Sequence, residues 1–369
     1  MRLPSFSIAH SHHCSVSIRF HGSSLLTLFP ATSSSSTTSP SSSCRPCWPR
    51  MDADSAYHRH RRKEKVVLIM GATGCGKSRL SVDLATRFAC FEIINADKMQ
   101  LYRGLDIATN KIPLEERNGV LHHLLGDVDP ANGEFTPWDF RSAAGSIISD
   151  INSKKKLPIV VGGSNSLIHA LVVDQFDPAI NVFDDEGSSP SSILSELRYN
   201  CCFLWVDVSF PVLSDYLLKR VDDMLDMGMV DELAQFFDPE ANDLEDDSEH
   251  RVGLRKAIGV AEFDRYFKQY PPSLGGLRRE EDPMRKAAYE EAVRAIKENT
   301  CRLAKRQIGK ILRLKGAGWD LRRLDVTEAI RAAMTPSKCS DDGGERWSDI
   351  WERQVAEPSV KIVKRFLKE

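Results

Sequence analysis

The sequence predicts an α/β fold: a phosphate-loop (P-loop) core whose mostly parallel sheet is flanked by helices, plus a mainly helical subdomain. Three observations carry this. The apolar run Val66–Met70 ends in a glycine-rich turn, and helical periodicity follows over Lys77–Phe88. Short runs rich in β-branched or aromatic residues then alternate with helical stretches up to residue 208, the signature of a parallel sheet. Beyond residue 208 the pattern is mainly helical. With 369 residues and 41% apolar composition, the chain is able to bury a sizeable core.

Residues 1–57 form a leader and linker of a different composition. Fifteen of the first fifty residues are serines, no acid precedes Asp52, and Arg2, Arg19, Arg45 and Arg50 supply the only formal charge. This reads as an organellar transit peptide. Removal of residues 1–51, with four arginines and no acid, takes the net charge from −2 to about −6. The core, residues 58–208, contains strands at Val66–Met70, Phe91–Asn95, Pro158–Val161 and Cys202–Val208. One of its helices has an explicit start: Thr136 caps, Pro137 opens the first turn, Asp139 follows three positions after the cap, and Phe135 precedes it. Residues 209–327 form the helical subdomain, with helices at Pro211–Met227 and Met284–Leu314, and return to the core through a last strand at Leu321–Val326. Asp238–Glu249, with seven acids, and Pro271–Gly276 read as loops. Residues 328–369 read as a tail carrying a helix.

Several classes are disfavoured by composition. No stretch of eighteen apolar residues exists, so no membrane-spanning helix is expected. A net charge of −2 gives no whole-chain cationic signature, and nucleic acid is not an expected partner. Nine cysteines without a repeated spacing suggest reduced thiols, and the Cys44–Cys47 pair in the leader carries little weight. Adjacent His122 and His123 face apart in a helix or a strand, which argues against a shared metal.

The strongest motif is Gly71, Ala72, Thr73, Gly74, Cys75, Gly76, Lys77 and Ser78, a complete GxxxxGK[ST] between a strand and a helix. Its glycines let backbone N–H groups close around phosphate oxygens, the helix start adds partial positive charge, and Lys77 adds a full one. The Ser78 hydroxyl is placed to ligate Mg²⁺, and Cys75 reads as a small filler. This signature specifies a diphosphate, not ATP hydrolysis. The strand Pro158–Val161 ends in two glycines, where motor-type NTPases carry an acid; Asp207 is an alternative acid or an ordinary strand-end residue. Asp97 follows the second strand at its carboxyl end, where ligands of open α/β sheets collect. A carboxylate there is an outer-sphere Mg²⁺ partner, a cap or a base.

Nine ordered blocks carry a family resemblance: GATGCGKS (71–78), EIINADKMQLYRGLDIATNK (92–111), HHLLGDVDP (122–130), FTPWDFR (135–141), PIVVGGSNSLIHAL (158–171), CCFLWVDVS (201–209), RVDDMLDMGMVDE (220–232), GLRKAIGVAEFDRY (253–266) and NTCRLAKRQIGKILRL (299–314). Together they resemble the isopentenyltransferase family, from about residue 66 to 327, and look closest to its plant adenylate branch. The resemblance implies transfer of a dimethylallyl group from dimethylallyl diphosphate to N6 of AMP, ADP or ATP, in a plastid, with Mg²⁺ as cofactor. It further implies that Asp97 is the base, that Arg220 and Thr109 lie near the diphosphate with Lys77, and that the loop holds the prenyl donor while the nucleotide enters from the opposite side. Two departures stand out: Leu121 replaces an expected proline, and no Cys₂His₂ pattern follows residue 327.

An occupied phosphate loop leaves the nucleotide's phosphates in need of another cationic surface. Arg302, Lys305 and Arg306, with Arg313, recur along one basic helix and are the candidates, favouring ADP or ATP over AMP. Two other classes compete: a tRNA dimethylallyltransferase, and a small-molecule kinase supported by the phosphate loop alone.

Overall fold

The first strand, β1 (Lys65–Gly71), explains the sheet built around it. Residues Val66 to Met70 are each at most 1% exposed, and they alternate sides: Val66, Leu68 and Met70 enter one apolar cluster, Val67 and Ile69 the other. A strand buried on both faces has to be apolar throughout, which is why it reads as a continuous run. The computed structural model describes residues 63–183, 196–239, 251–272, 282–335 and 346–369. The serine-rich leader, most of the acid-rich segment and the centre of the Pro271–Gly276 loop lie outside these residues.

Five further strands, β2 (Phe91–Asn95), β3 (His122–His123), β4 (Leu157–Gly162), β5 (Asn200–Asp207) and β6 (Leu321–Asp325), complete a six-stranded sheet. The order is β3-β2-β4-β1-β5-β6 and every pairing is parallel. The predicted strands fall within two residues of these limits. The exception is β3, which is too short to show a pattern. Its two histidines turn to different partners: His122 Nδ1 meets the Val120 carbonyl at 2.8 Å, and His123 Nε2 meets Glu92 at 2.7 Å.

The chain runs from β1 to β2 and β3, returns to β4, and then crosses to β5 on the other side of β1. Carboxyl ends of β1, β2 and β4 therefore gather where the strand order reverses. Gly162, which ends β4, has a steric reason. A Cβ on Gly162 would lie 2.1 Å from the Ala96 carbonyl oxygen, so only glycine lets the segment bearing Asp97 cross the end of β4.

Helices α1 (Lys77–Phe88), α2 (Pro137–Ser153) and α3 (Asn165–Val172) belong to the sheet core. The predicted start of α2 is present: the Thr136 hydroxyl accepts the Asp139 N–H at 3.2 Å, and Asp139 accepts the Thr136 N–H at 2.9 Å. Helices α4 (Phe210–Asp226), α5 (Met229–Phe236), α6 (Val260–Gln269), α7 (Pro283–Gly316) and α8 (Thr327–Met334) follow. Helix α7 has 34 residues, and its buried positions 292, 296, 300, 304, 307, 311 and 314 form one stripe at helical spacing. That stripe touches α4, α6 and β1, so one helix joins the helical layer to the sheet.

Residues 346–369 are not a loose tail. They form α9 (Trp347–Trp351), a π turn (Glu352–Ala356) and α10 (Glu357–Lys368). Pro358 has no N–H to donate, and the wide turn before it accommodates the missing bond. Trp351, Val355, Val363 and Phe366 are buried in the cluster that contains Val67 and Ile69. Each contributes about 1.5–3 kcal/mol by burial. Trp351 Nε1 also donates to Asp83 on α1 at 2.7 Å.

Candidate active site

The phosphate loop has the backbone its glycines imply. Gly74 and Gly76 sit at φ +82° and +88°, a region that side chains oppose. Gly76 caps α1 and has no side chain to satisfy its first amides, so those donors face outward to an anion. Lys77 is buried and its Nζ donates to the Ala72 carbonyl at 2.7 Å, back across the loop. Cys75 is buried against Gly71, and burial pushes its thiol pKa up, as befits a filler rather than a nucleophile.

Beside this loop lies a cavity of about 310 Å³. Its polar lining includes Thr73, Asp97, Thr109 and Arg220; its apolar lining includes Val221, Met224, Met229, Ile258, Ile296 and Leu303. Asp97 Oδ1 accepts the Met99 N–H at 3.3 Å. Burial raises the Asp97 pKa, opposed by the charge of Lys77, by the backbone N–H groups of Met99 and Gln100, and by Arg220. Arg220 Nη2 donates to the Thr73 hydroxyl at 2.9 Å, while its Nε is buried with no hydrogen-bond partner. A buried guanidinium N–H left open beside a phosphate loop is a ready anion donor. The Thr73 hydroxyl, accepting from Arg220, keeps its own hydrogen for another acceptor.

Thr109 sits in a turn held by its neighbours. Its hydroxyl donates to the Leu105 carbonyl at 2.6 Å, and Glu232 on α5 accepts the N–H groups of Ile107 and Ala108 at 3.0 and 2.8 Å. Thr109 thus lines the cavity from a turn held by two elements.

The basic stretch of α7 is divided. Arg306 lines the cavity. Arg302 is exposed and donates to Asn299 at 2.8 Å, and Lys305 lies 4.9 Å from the centre of the Phe210 ring. Arg313 reaches the Phe183 carbonyl at 3.1 Å. A second hollow, about 1050 Å³, is bordered by Ser78, Arg79, Arg103, Lys111 and Arg117, and shares Asn110 with the first. The loop thus borders both hollows, with Thr73 on the first and Ser78 on the second. For Mg²⁺ the loop offers the Ser78 hydroxyl, while Asp207 is taken by Arg323 at 2.6 Å. One hydroxyl suits an ion that keeps several waters and takes its other oxygens from substrate phosphates.

Three features escape the motif reading: the double hold on Thr73, whose N–H donates to Gln307 Oε1 while its hydroxyl accepts from Arg220, the methionines among the lining residues, and buried Gln307 itself, which lines the cavity from α7. The stripe of α7 contained the signal for Gln307, because a polar residue repeated at core spacing needs a buried partner.

A sequence model described as IPP transferase matches residues 100–179 and 178–310. An adenylate isopentenyltransferase of Humulus lupulus is 65% identical over 302 residues, covering 82% of this chain and 90% of the relative. Adenylate isopentenyltransferase 1, chloroplastic, of Arabidopsis thaliana is 55% identical over 306 residues, covering 83% and 82%. Other Arabidopsis relatives are named chloroplastic and, in one case, mitochondrial. Among solved structures, a full-length tRNA isopentenylpyrophosphate transferase of Bacillus halodurans aligns with a TM-score of 0.58 at 25% identity, covering 83% of this chain and 99% of that one.

Proposed function

The chain belongs to the IPP transferase family, and on that premise we propose how its site works. It is a prenyltransferase that moves a dimethylallyl group from dimethylallyl diphosphate to N6 of an adenine nucleotide, the entry step of cytokinin synthesis. The observation that supports the mechanism is one cavity lined by Asp97, by the hydrogen-bonded pair Thr73 and Arg220, and by apolar side chains such as Val221, Met224, Met229 and Leu303, a set that suits a base, an anion and a short prenyl chain.

The donor's diphosphate occupies the loop amides and Lys77, with its prenyl chain along Met224, Met229 and Leu303. The Ser78 hydroxyl would hold Mg²⁺, which would supply further neutralisation of the leaving charge. The allylic C–O bond breaks with its electron pair going to the diphosphate, where Arg220 and the Thr73 hydroxyl meet the developing charge. The N6 lone pair forms the new C–N bond, and the N6 proton passes to the Asp97 carboxylate, which also aims the nitrogen. Thr109 lines the same cavity. Arg306 is the cation nearest the nucleotide's phosphates, with Arg302 and Lys305 behind it, and this charge favours ADP or ATP over AMP.

Labelled dimethylallyl diphosphate offered separately with AMP, ADP, ATP and unmodified tRNA tests the reading. Label is expected on the free nucleotides, most efficiently ADP or ATP. Label on tRNA alone would overturn it. The serine-rich leader, together with the relatives named chloroplastic, supports plastid import; a fluorescent fusion of residues 1–60 that stays in the cytosol would refute that.

A further inference from the structure

Along the buried stripe of α7, six of the seven positions carry Ala, Ile, Leu or the small Thr300; the other is Gln307, only 7% exposed. A leucine would fill the space. A glutamine there costs desolvation unless its amide is paired. Its Oε1 accepts the Thr73 N–H at 2.7 Å, and its main-chain carbonyl accepts from Asn165 Nδ2, itself buried, at 3.1 Å. Thr73 is therefore held twice, by Gln307 through its amide and by Arg220 through its hydroxyl. Amides of phosphate loops ordinarily point at the ligand. This one is committed to a protein oxygen, so the Thr73 backbone is fixed by α7.

The other end of the Gln307 amide lies over Gly163. A Cβ there would stand 2.5 Å from Gln307 Nε2 and 3.5 Å from Asp97 Oδ2. Gly163 is not at a positive φ, so clearance rather than backbone freedom explains the glycine. One amide group thus bridges the residue that meets the leaving group and the neighbourhood of the base.

We infer that Gln307 is a positioning residue: it sets the distance between Thr73, on the donor's leaving oxygen, and Asp97, on the acceptor nitrogen, and Gly163 is glycine to make room for it. This rests on the prenyl-transfer reading above. A residue that positions the two reacting ends, without gripping either substrate, acts on turnover more than on binding.

The test is a cycle on the full chain with Gln307→Ala, Gly163→Ala and the double variant, assayed with dimethylallyl diphosphate and ADP. Each single variant is expected to lower kcat by about tenfold to a hundredfold, with both KM values within about threefold of the parent. The methyl of Gly163→Ala acts by displacing the flexible end of Gln307. The double variant is therefore expected to be no slower than the worse single one, a non-additive result that packing loss alone does not produce. Near-parental kcat in either single variant, losses that multiply, or losses carried by KM would overturn the inference. If Gln307→Ala does not fold, Gly163→Ala alone decides by its kcat. A parent enzyme that prenylates no nucleotide would instead refute the proposed function.

Discussion

The phosphate loop and the basic stretch of α7 both carry positive charge, yet they are built on opposite principles. The loop works through its backbone: Gly74 and Gly76 in the left-handed region, uncapped amides at the start of α1, and Lys77 folded back onto Ala72. Its geometry is local, so eight consecutive residues specify it. The stretch from Arg302 to Arg313 works through side chains, and their destinations depend on what covers each side of the helix. Arg302 turns to Asn299, Lys305 to the Phe210 ring and Arg313 to the Phe183 carbonyl, which leaves Arg306 on the cavity. Spacing along a helix says which residues share a face, whereas only the fold says what that face meets.

The largest effect is expected at Asp97, the proposed base, which lines the same cavity as Thr73 and Arg306. Asp97→Asn keeps shape but removes proton acceptance, and kcat is expected to fall by about 10²–10⁴-fold with donor KM little changed. A variant with near-parental turnover would remove Asp97 from the chemistry. The pKa of Asp97 is raised, chiefly by burial, and a base works only when deprotonated. Activity is therefore expected to fall as pH drops through a value above the ordinary aspartate range. The acid limb of kcat against pH measures this directly, and an acid limb at or below that range would contradict it.

A smaller effect sharpens the contrast within α7. Arg306→Ala is expected to raise the KM for ADP and ATP by about tenfold or more and for AMP by less. Lys305→Ala, whose charge rests on Phe210, is expected to change these values less than threefold. Equal effects of the two variants across all three nucleotides would mean that the phosphates bind elsewhere. The smallest effect lies away from the chemistry. Trp351→Phe loses the bond to Asp83 at about 1 kcal/mol, and a drop of a few degrees in Tm is expected, with kcat retained.

The same division explains how far the sequence could be read. The strands β1, β2, β4 and β5 were legible because burial forces an apolar pattern, and the capping box at Thr136 because it is local. Asp97 was legible by its position at a strand end. The two residues of β3 leave no periodicity to read. The packing of Trp351 on α1 was illegible because it joins segments far apart in the chain, across a helix widened ahead of Pro358. Gln307 escaped for a related reason: its partner is the backbone of Thr73, and a backbone N–H has no letter of its own.

In the proposed mechanism the phosphate loop holds the prenyl donor and not the nucleotide. Steady-state kinetics of Lys77→Ala with each substrate varied in turn tests it most directly. Loss of this charge-assisted contact is expected to raise the KM for dimethylallyl diphosphate by about tenfold or more while the KM for ADP stays within about threefold. A variant that loses affinity for ADP and keeps its affinity for dimethylallyl diphosphate would contradict the account.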